Sequence, residues 1–173
     1  MTAASRIVLV GTMGAGKSTV MRSLCRRLGW DGADTDDLVE SAAGETPAQI
    51  FATRGEAAFR ELEVTALERA LSGEVPIVIA TGGGIVESAG ARDLLKAEEC
   101  VVLLQVSPEV AVNRISDLRT RPLLAKNPLE SLQTISDRRR PLYDEVADVV
   151  VDVDDLGVDE VVDSILARLE VAS

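Results

Sequence analysis

Apolar residues gather in five short runs: Ile7 to Val10, a weaker one ending near Ala33, Ile77 to Ala80, Val101 to Val106 and Val149 to Val153. Their length and β-branched character suit strands buried on both faces. Between the runs the apolar period lengthens. Val20, Leu24 and Leu28 stand four apart, with Arg22, Arg26 and Arg27 at other positions and Gly29 as the stop. Thr46-Pro47-Ala48-Gln49 reads as a capping box with proline at the first helical position, opening a short helix that Gly55 ends. A longer helix then carries Phe59, Leu62, Ala66, Leu67 and Ala70 on its buried stripe. The final segment places Val158, Val161, Val162, Ile165, Leu166 and Leu169 on another, which should close the sheet. Strands alternating with helices predict an α/β layer fold around a parallel sheet. At 173 residues, without an internal repeat or a linker, the chain is expected to form one domain over 1–173.

The loop after the first run changes this from a fold to a site. Gly11 to Ser18 reads Gly-Thr-Met-Gly-Ala-Gly-Lys-Ser, which fills every fixed position of G-x-x-x-x-G-K-[ST] between a strand and a helix. Polyphosphate is densely anionic, and a glycine turn lets successive backbone N–H groups converge on it at a helix N-terminus. Lys17 would add a cation for the β- and γ-phosphates, and the Ser18 hydroxyl suits a Mg²⁺ ion. The usual Mg²⁺-holding aspartate at the end of the third run is absent, because Ile77-Val78-Ile79-Ala80 leads into Thr81-Gly82-Gly83-Gly84. Asp34 is a natural substitute, acting through a water. Asp34 and Asp36, two apart in extended chain, would both face the crevice at the strand ends, where Asp36 could take a substrate hydroxyl's proton. The rival reading makes them cap and first-turn acids of a helix beginning near Leu38.

Charge narrows the partners. A net charge of −11 excludes a general nucleic-acid or anionic-membrane binder. Between Arg119 and Arg140, however, six basic residues face two acidic ones, a local +4 that leaves −15 on the remainder and suggests a small-anion site. With no histidine, any general base is a carboxylate or another non-imidazole group. Residues 117–128 lack periodicity but hold Arg119, Arg121 and Lys126, as a lid closing on phosphate would. Arg138, Arg139 and Arg140 then precede Pro141, too many cations for core duty. Arg60 and Glu63, three apart, read as an exposed ion pair. Three consecutive glycines after a buried strand are costly in chain entropy and mark a close backbone approach. Cys25 and Cys100 have no metal-ligand spacing and are expected to be buried free thiols. The N-terminus does not resemble a signal peptide, and no segment reaches the ~20 apolar residues needed to span a bilayer. A soluble cytoplasmic protein is the expectation.

Taken together, these motifs resemble the shikimate kinase family over nearly the whole chain. The resemblance rests on the phosphate loop, Asp34-Thr35-Asp36, Ile50-Phe51-Ala52 with Gly55-Glu56, Phe59-Arg60 with Glu63, Gly82-Gly83-Gly84, Arg121-Pro122-Leu123-Leu124, and Arg139-Arg140-Pro141-Leu142-Tyr143. It implies a three-layer P-loop NTPase fold with sheet order 2-3-1-4-5 and a mobile lid. The implied reaction is ATP- and Mg²⁺-dependent phosphorylation of the 3-hydroxyl of shikimate by a monomer. On that resemblance Gly14, Ala15, Gly16, Lys17, Ser18 and Thr19 hold the nucleotide, with Arg114 against the adenine. Ser18 and Asp34 hold the metal. Arg121 is the lid arginine and acts with Lys17 and Asp36 in catalysis; Arg119 departs from the family pattern, standing where small polar residues are expected. Asp36, Arg60, Gly82, Gly83, Gly84 and Arg139 bind the acceptor, and Phe51, Phe59, Pro122 and Leu123 wall its pocket. Two alternatives stay open at this point: another P-loop small-molecule kinase, such as one acting on gluconate, and a nucleotide-binding module without catalysis.

Overall fold

A computed structural model describes residues 5–118, 122–124 and 126–172. Its centre is a five-stranded parallel sheet in the order β2-β3-β1-β4-β5, formed by Arg6–Val10, Asp31–Asp34, Ile77–Ala80, Val101–Gln105 and Val149–Asp152 as β1 to β5. Helices α1 (Lys17–Leu28), α2 (Thr35–Ala43), α3 (Pro47–Leu71), α4 (Ala89–Lys96), α5 (Pro108–Arg114), α6 (Pro128–Val146) and α7 (Val158–Ala172) cover both faces. The expected architecture and strand order are both present.

Alternate residues of each strand face opposite layers, which is why the runs are apolar throughout. Ile7, Leu9, Val78, Ala80, Val102 and Leu104 pack with Val20 and Leu24 of α1 and Val161, Val162 and Ile165 of α7. Val8, Val10, Ile77, Ile79, Val101 and Leu103 pack with Leu67 of α3, Leu95 of α4 and Val146 of α6. Full burial of side chains like these contributes about 1.5–3 kcal/mol each, enough to hold the central strands and the loops at their ends. A smaller cluster, Val39, Ile50, Phe59 and Ala66, joins α2 to α3.

Register sets the site. Asp34 pairs with Ala80 and Leu9 with Ala80, so β1, β2 and β3 all end at one edge. There the Thr81 amide and hydroxyl both donate to Leu9 O, at 3.1 and 2.9 Å. This is the crevice at the carboxyl ends of the strands where open α/β sheets bind ligands.

Three local expectations need correction. Helix α2 begins at Thr35, not near Leu38, with Asp34 as its N-cap. Asp36 is therefore helical, and the extended two-residue spacing does not account for its position. Cys100 is buried, but Cys25 is only half-buried and donates to Asp31 O at 3.3 Å. The capping box at Thr46 is as expected, with bonds of 2.8 and 3.2 Å to Gln49, and Gly55 breaks α3 with φ 84° and ψ 172°. No described helix is long and apolar enough to cross a membrane.

Candidate active site

The phosphate loop opens into a cleft of about 540 Å³ lined by residues 13–20, Asp36, Thr81, Gly83, Arg114 to Asp117, Val153 and Leu156 to Val158. Gly14 adopts φ 83°, and a Cβ there would meet Ala111 O at 2.7 Å, so the turn requires glycine. Helix α1 starts without a side-chain cap or a first-turn acid, which leaves its amides available to an anion. Lys17 is 8% exposed, and its ammonium donates to Gly11 O at 2.6 Å and Thr12 O at 3.0 Å. The Ser18 hydroxyl donates to Asp34 Oδ2, while Asp34 Oδ1 accepts the Asp36 amide at 3.0 Å. Asp34 thus caps α2 and stands against Ser18. Arg114 lies on the cleft wall, pinned by a 2.6 Å bond to Val153 O.

A second cavity, of about 80 Å³, adjoins the first. Met13, Asp36, Phe51, Phe59, Arg60, Glu63, Gly82 to Gly84, Leu123 and Arg139 line it, together with Pro47 and Ala48. Asp36 and Gly83 belong to both cavities. The Gly82 amide donates to Thr35 Oγ1 at 3.0 Å, which locks the glycine segment to α2. At Gly84 an added Cβ would fall inside the Arg60 guanidinium. The close approach expected of the glycines is therefore made to side chains of this pocket.

Arg60 and Glu63 are not the exposed pair that spacing suggested. Glu63 is 2% exposed and accepts from Arg60 Nη1 at 2.5 Å. Arg60 Nη2 reaches Glu56 at 3.2 Å and Glu87 at 2.9 Å, and its guanidinium lies 5.8 and 5.6 Å from the ring centroids of Phe51 and Phe59. Burial raises the Glu63 pKa to about 7, against the pull of Arg60 and with a further push from Asp36.

The arginine triplet also divides. Arg138 and Arg140 are exposed, but Arg139 is 1% exposed, contrary to the expectation that these cations avoid the core. Its Nη2 bonds Glu87 Oε2 at 3.0 Å, while its Nε and Nη1, and Nε of Arg60, are buried without a hydrogen-bond partner. Arg60 and Arg139 both line the small cavity, so an anion entering it would meet guanidinium groups with donors to spare. Tyr143, on α6, donates its hydroxyl to Gly83 O, and burial raises its pKa to about 12.

Of the lid expected over 117–128, Arg119, Thr120, Arg121 and Ala125 lie outside the described residues; Leu123 is described and lines the second cavity. The sequence reading missed Glu87, whose side-chain ion pairs are all long-range, and the Leu156 to Val158 wall. The latter's local signal is the turn at Asp154 and Asp155, just past the carboxyl end of β5.

A phosphate loop on a 2-3-1-4-5 sheet, beside an anion pocket that shares an aspartate with it, defines the class as a P-loop kinase of small molecules. The shikimate kinase family model matches residues 13–170, and the chain belongs to that family. It is 44% identical over 165 residues to the shikimate kinase of Streptomyces avermitilis, covering 95% of each chain, and 42% identical over 165 residues to that of Vibrio campbellii, again with 95% of each covered. The structure of shikimate kinase from Acinetobacter baumannii in complex with shikimate superposes with a TM-score of 0.88 at 36% identity, covering 98% of this chain and 93% of that one. A gluconokinase from Sinorhizobium meliloti, at 22% identity and a TM-score of 0.65 over 99% of this chain and 95% of that one, shares the fold alone.

Proposed function

We propose that the protein transfers the γ-phosphoryl group of ATP to the 3-hydroxyl of shikimate, giving shikimate 3-phosphate and ADP on the cytoplasmic route to chorismate and the aromatic amino acids. The observation that carries this is the set of buried unpartnered donors on Arg60 and Arg139. Both arginines line a cavity that Asp36 joins to the nucleotide cleft. A small polyol acid fits it: two guanidinium groups for its carboxylate, and an aspartate for its hydroxyls. Membership of the shikimate kinase family supports the same acceptor.

In this reading the amides of the loop and α1 hold the triphosphate, with Gly14, Ala15, Gly16 and Thr19 shaping its bed and Arg114 lying against the adenine. Lys17 exchanges its loop carbonyls for phosphate oxygens. Asp36 accepts the proton of the acceptor hydroxyl as that oxygen attacks phosphorus in line. Arg121, from the lid, neutralises charge that develops on the transferring group. Ser18 and Asp34 would hold a Mg²⁺ ion, which usually keeps several waters and needs few protein ligands; no group of three or more acidic, cysteine or histidine side chains placed to hold a metal exists among the described residues. When bound, such an ion would supply charge neutralisation for the phosphoryl transfer. The protein acts as a monomer.

ATP turnover with shikimate against turnover with gluconate tests the assignment. Shikimate alone should support stoichiometric ADP formation. Faster turnover with gluconate would assign the acceptor wrongly, and nucleotide binding with neither acceptor consumed would favour a binding module.

A further inference from the structure

Glu87 closes the 3-10 turn Ile85–Glu87 that follows the three glycines. Its Oε2 accepts from Arg60 Nη2 at 2.9 Å and from Arg139 Nη2 at 3.0 Å, and its Oε1 pairs with Arg138. Burial alone would raise its pKa, but Arg139, Arg60 and Arg138 outweigh that and hold it below the ordinary carboxylate value. One oxygen therefore joins guanidinium groups from two helices, α3 and α6, that would otherwise repel each other. It occupies Nη2 on both. With Nη1 of Arg60 held by Glu63, the donors left are Nε of Arg60 and Nε and Nη1 of Arg139, which are buried without a partner.

We infer that Glu87 is a positioning residue that sets the spacing and orientation of Arg60 and Arg139 for the acceptor's carboxylate. The inference rests on the reading that this carboxylate lies against those two arginines. Arginine carries five N–H donors in a rigid fork, so anchoring one edge on Glu87 turns the remaining donors without consuming them. The acceptor carboxylate then meets a preformed pair, and Glu87 need not be displaced. Fixing the donors in advance spares binding the cost of ordering two long side chains. Among the described residues the ion pairs of Glu87 are to Arg60, Arg138 and Arg139, none of them in the phosphate loop, so its effect belongs to acceptor binding and not to nucleotide binding or to the chemical step.

The test is steady-state kinetics on the full chain with shikimate and ATP varied separately, using wild type, Glu87→Ala, Glu87→Gln and Arg138→Gln, with thermal melting to verify folding. Glu87→Ala should raise the shikimate KM at least tenfold, and Glu87→Gln, which keeps an acceptor oxygen, at least threefold but less than Ala. The ATP KM and kcat should stay within twofold. Arg138→Gln, which removes the third cation but leaves the pair joined through Oε2, should leave the shikimate KM within twofold. An unchanged or lowered shikimate KM in either folded Glu87 variant overturns the inference, as does an equal rise in Arg138→Gln. If Ala does not fold, the Gln variant decides. Wild-type protein inert toward shikimate would instead overturn the acceptor assignment on which the inference stands.

Discussion

The hydroxyl of Ser18 donates to Oδ2 of Asp34, which ties the first turn of α1 to the end of β2 and places a serine oxygen and a carboxylate side by side at the phosphate loop. The same aspartate caps α2 through the Asp36 amide. Two variants separate these duties. Asparagine caps about as well as aspartate, whereas alanine costs about 0.5–2 kcal/mol. Asp34→Asn should therefore melt close to wild type yet need more Mg²⁺ for half-maximal turnover, and Asp34→Ala should lose both. Asn with wild-type Mg²⁺ dependence would leave Asp34 a cap and nothing more.

Asp36 lines both cavities, so its carboxylate can reach acceptor and nucleotide together. With Asp36→Asn, nucleotide affinity measured by calorimetry should be nearly intact while kcat falls by about 10²–10⁴, the usual contribution of a general base. Unchanged turnover would remove it from that role.

Arg139 is buried and Arg140 beside it is exposed, so adjacent substitutions read the register directly. Loss of a hydrogen bond to a charged group costs about 1.5–3 kcal/mol. Arg139→Ala should weaken shikimate binding accordingly, and Arg140→Ala should not. Equal loss of ATP affinity in Arg139→Ala would place the residue on the wrong side of Asp36.

Glu63 gives a pH signature. Its folded pKa is about 7, above the ordinary glutamate value of 4.5, so the folded chain keeps this proton after the unfolded chain has released it. Its contribution to stability is complete below pH 4.5 and is lost as pH rises to about 7. Urea midpoints across pH 5 to 8 should show wild type losing stability relative to Glu63→Gln. Parallel curves would mean that Arg60 keeps Glu63 ionised throughout.

Features encoded locally were legible in the sequence. The phosphate loop is a contiguous motif, the Thr46 capping box closes within four residues, Gly29 ends α1 in the left-handed region, and the β-branched runs became the strands. What was missed depends on the third dimension. Arg139 reads as one of three surface cations until α6 turns it toward the interior, and Glu63 looks solvated until Gly82 and Asp36 close over it. Glu87 lies 27 residues from Arg60 and 52 from Arg139, distances at which no periodicity can report a contact. Asp36 was placed at the crevice for the wrong geometric reason, because capping by Asp34 started the helix earlier than the apolar pattern implied.

The central claim is that one carboxylate bridges a nucleotide's phosphates and an organic acid held by two arginines. A crystal structure of the protein with shikimate and a non-hydrolysable ATP analogue tests it most directly. The account predicts the acceptor's carboxylate at about 2.7–3.2 Å from the free donors of Arg60 and Arg139, with a ring hydroxyl on Asp36 and pointing toward the γ-phosphate. An acceptor bound away from those three side chains, with its hydroxyls turned from the phosphate loop, would contradict it.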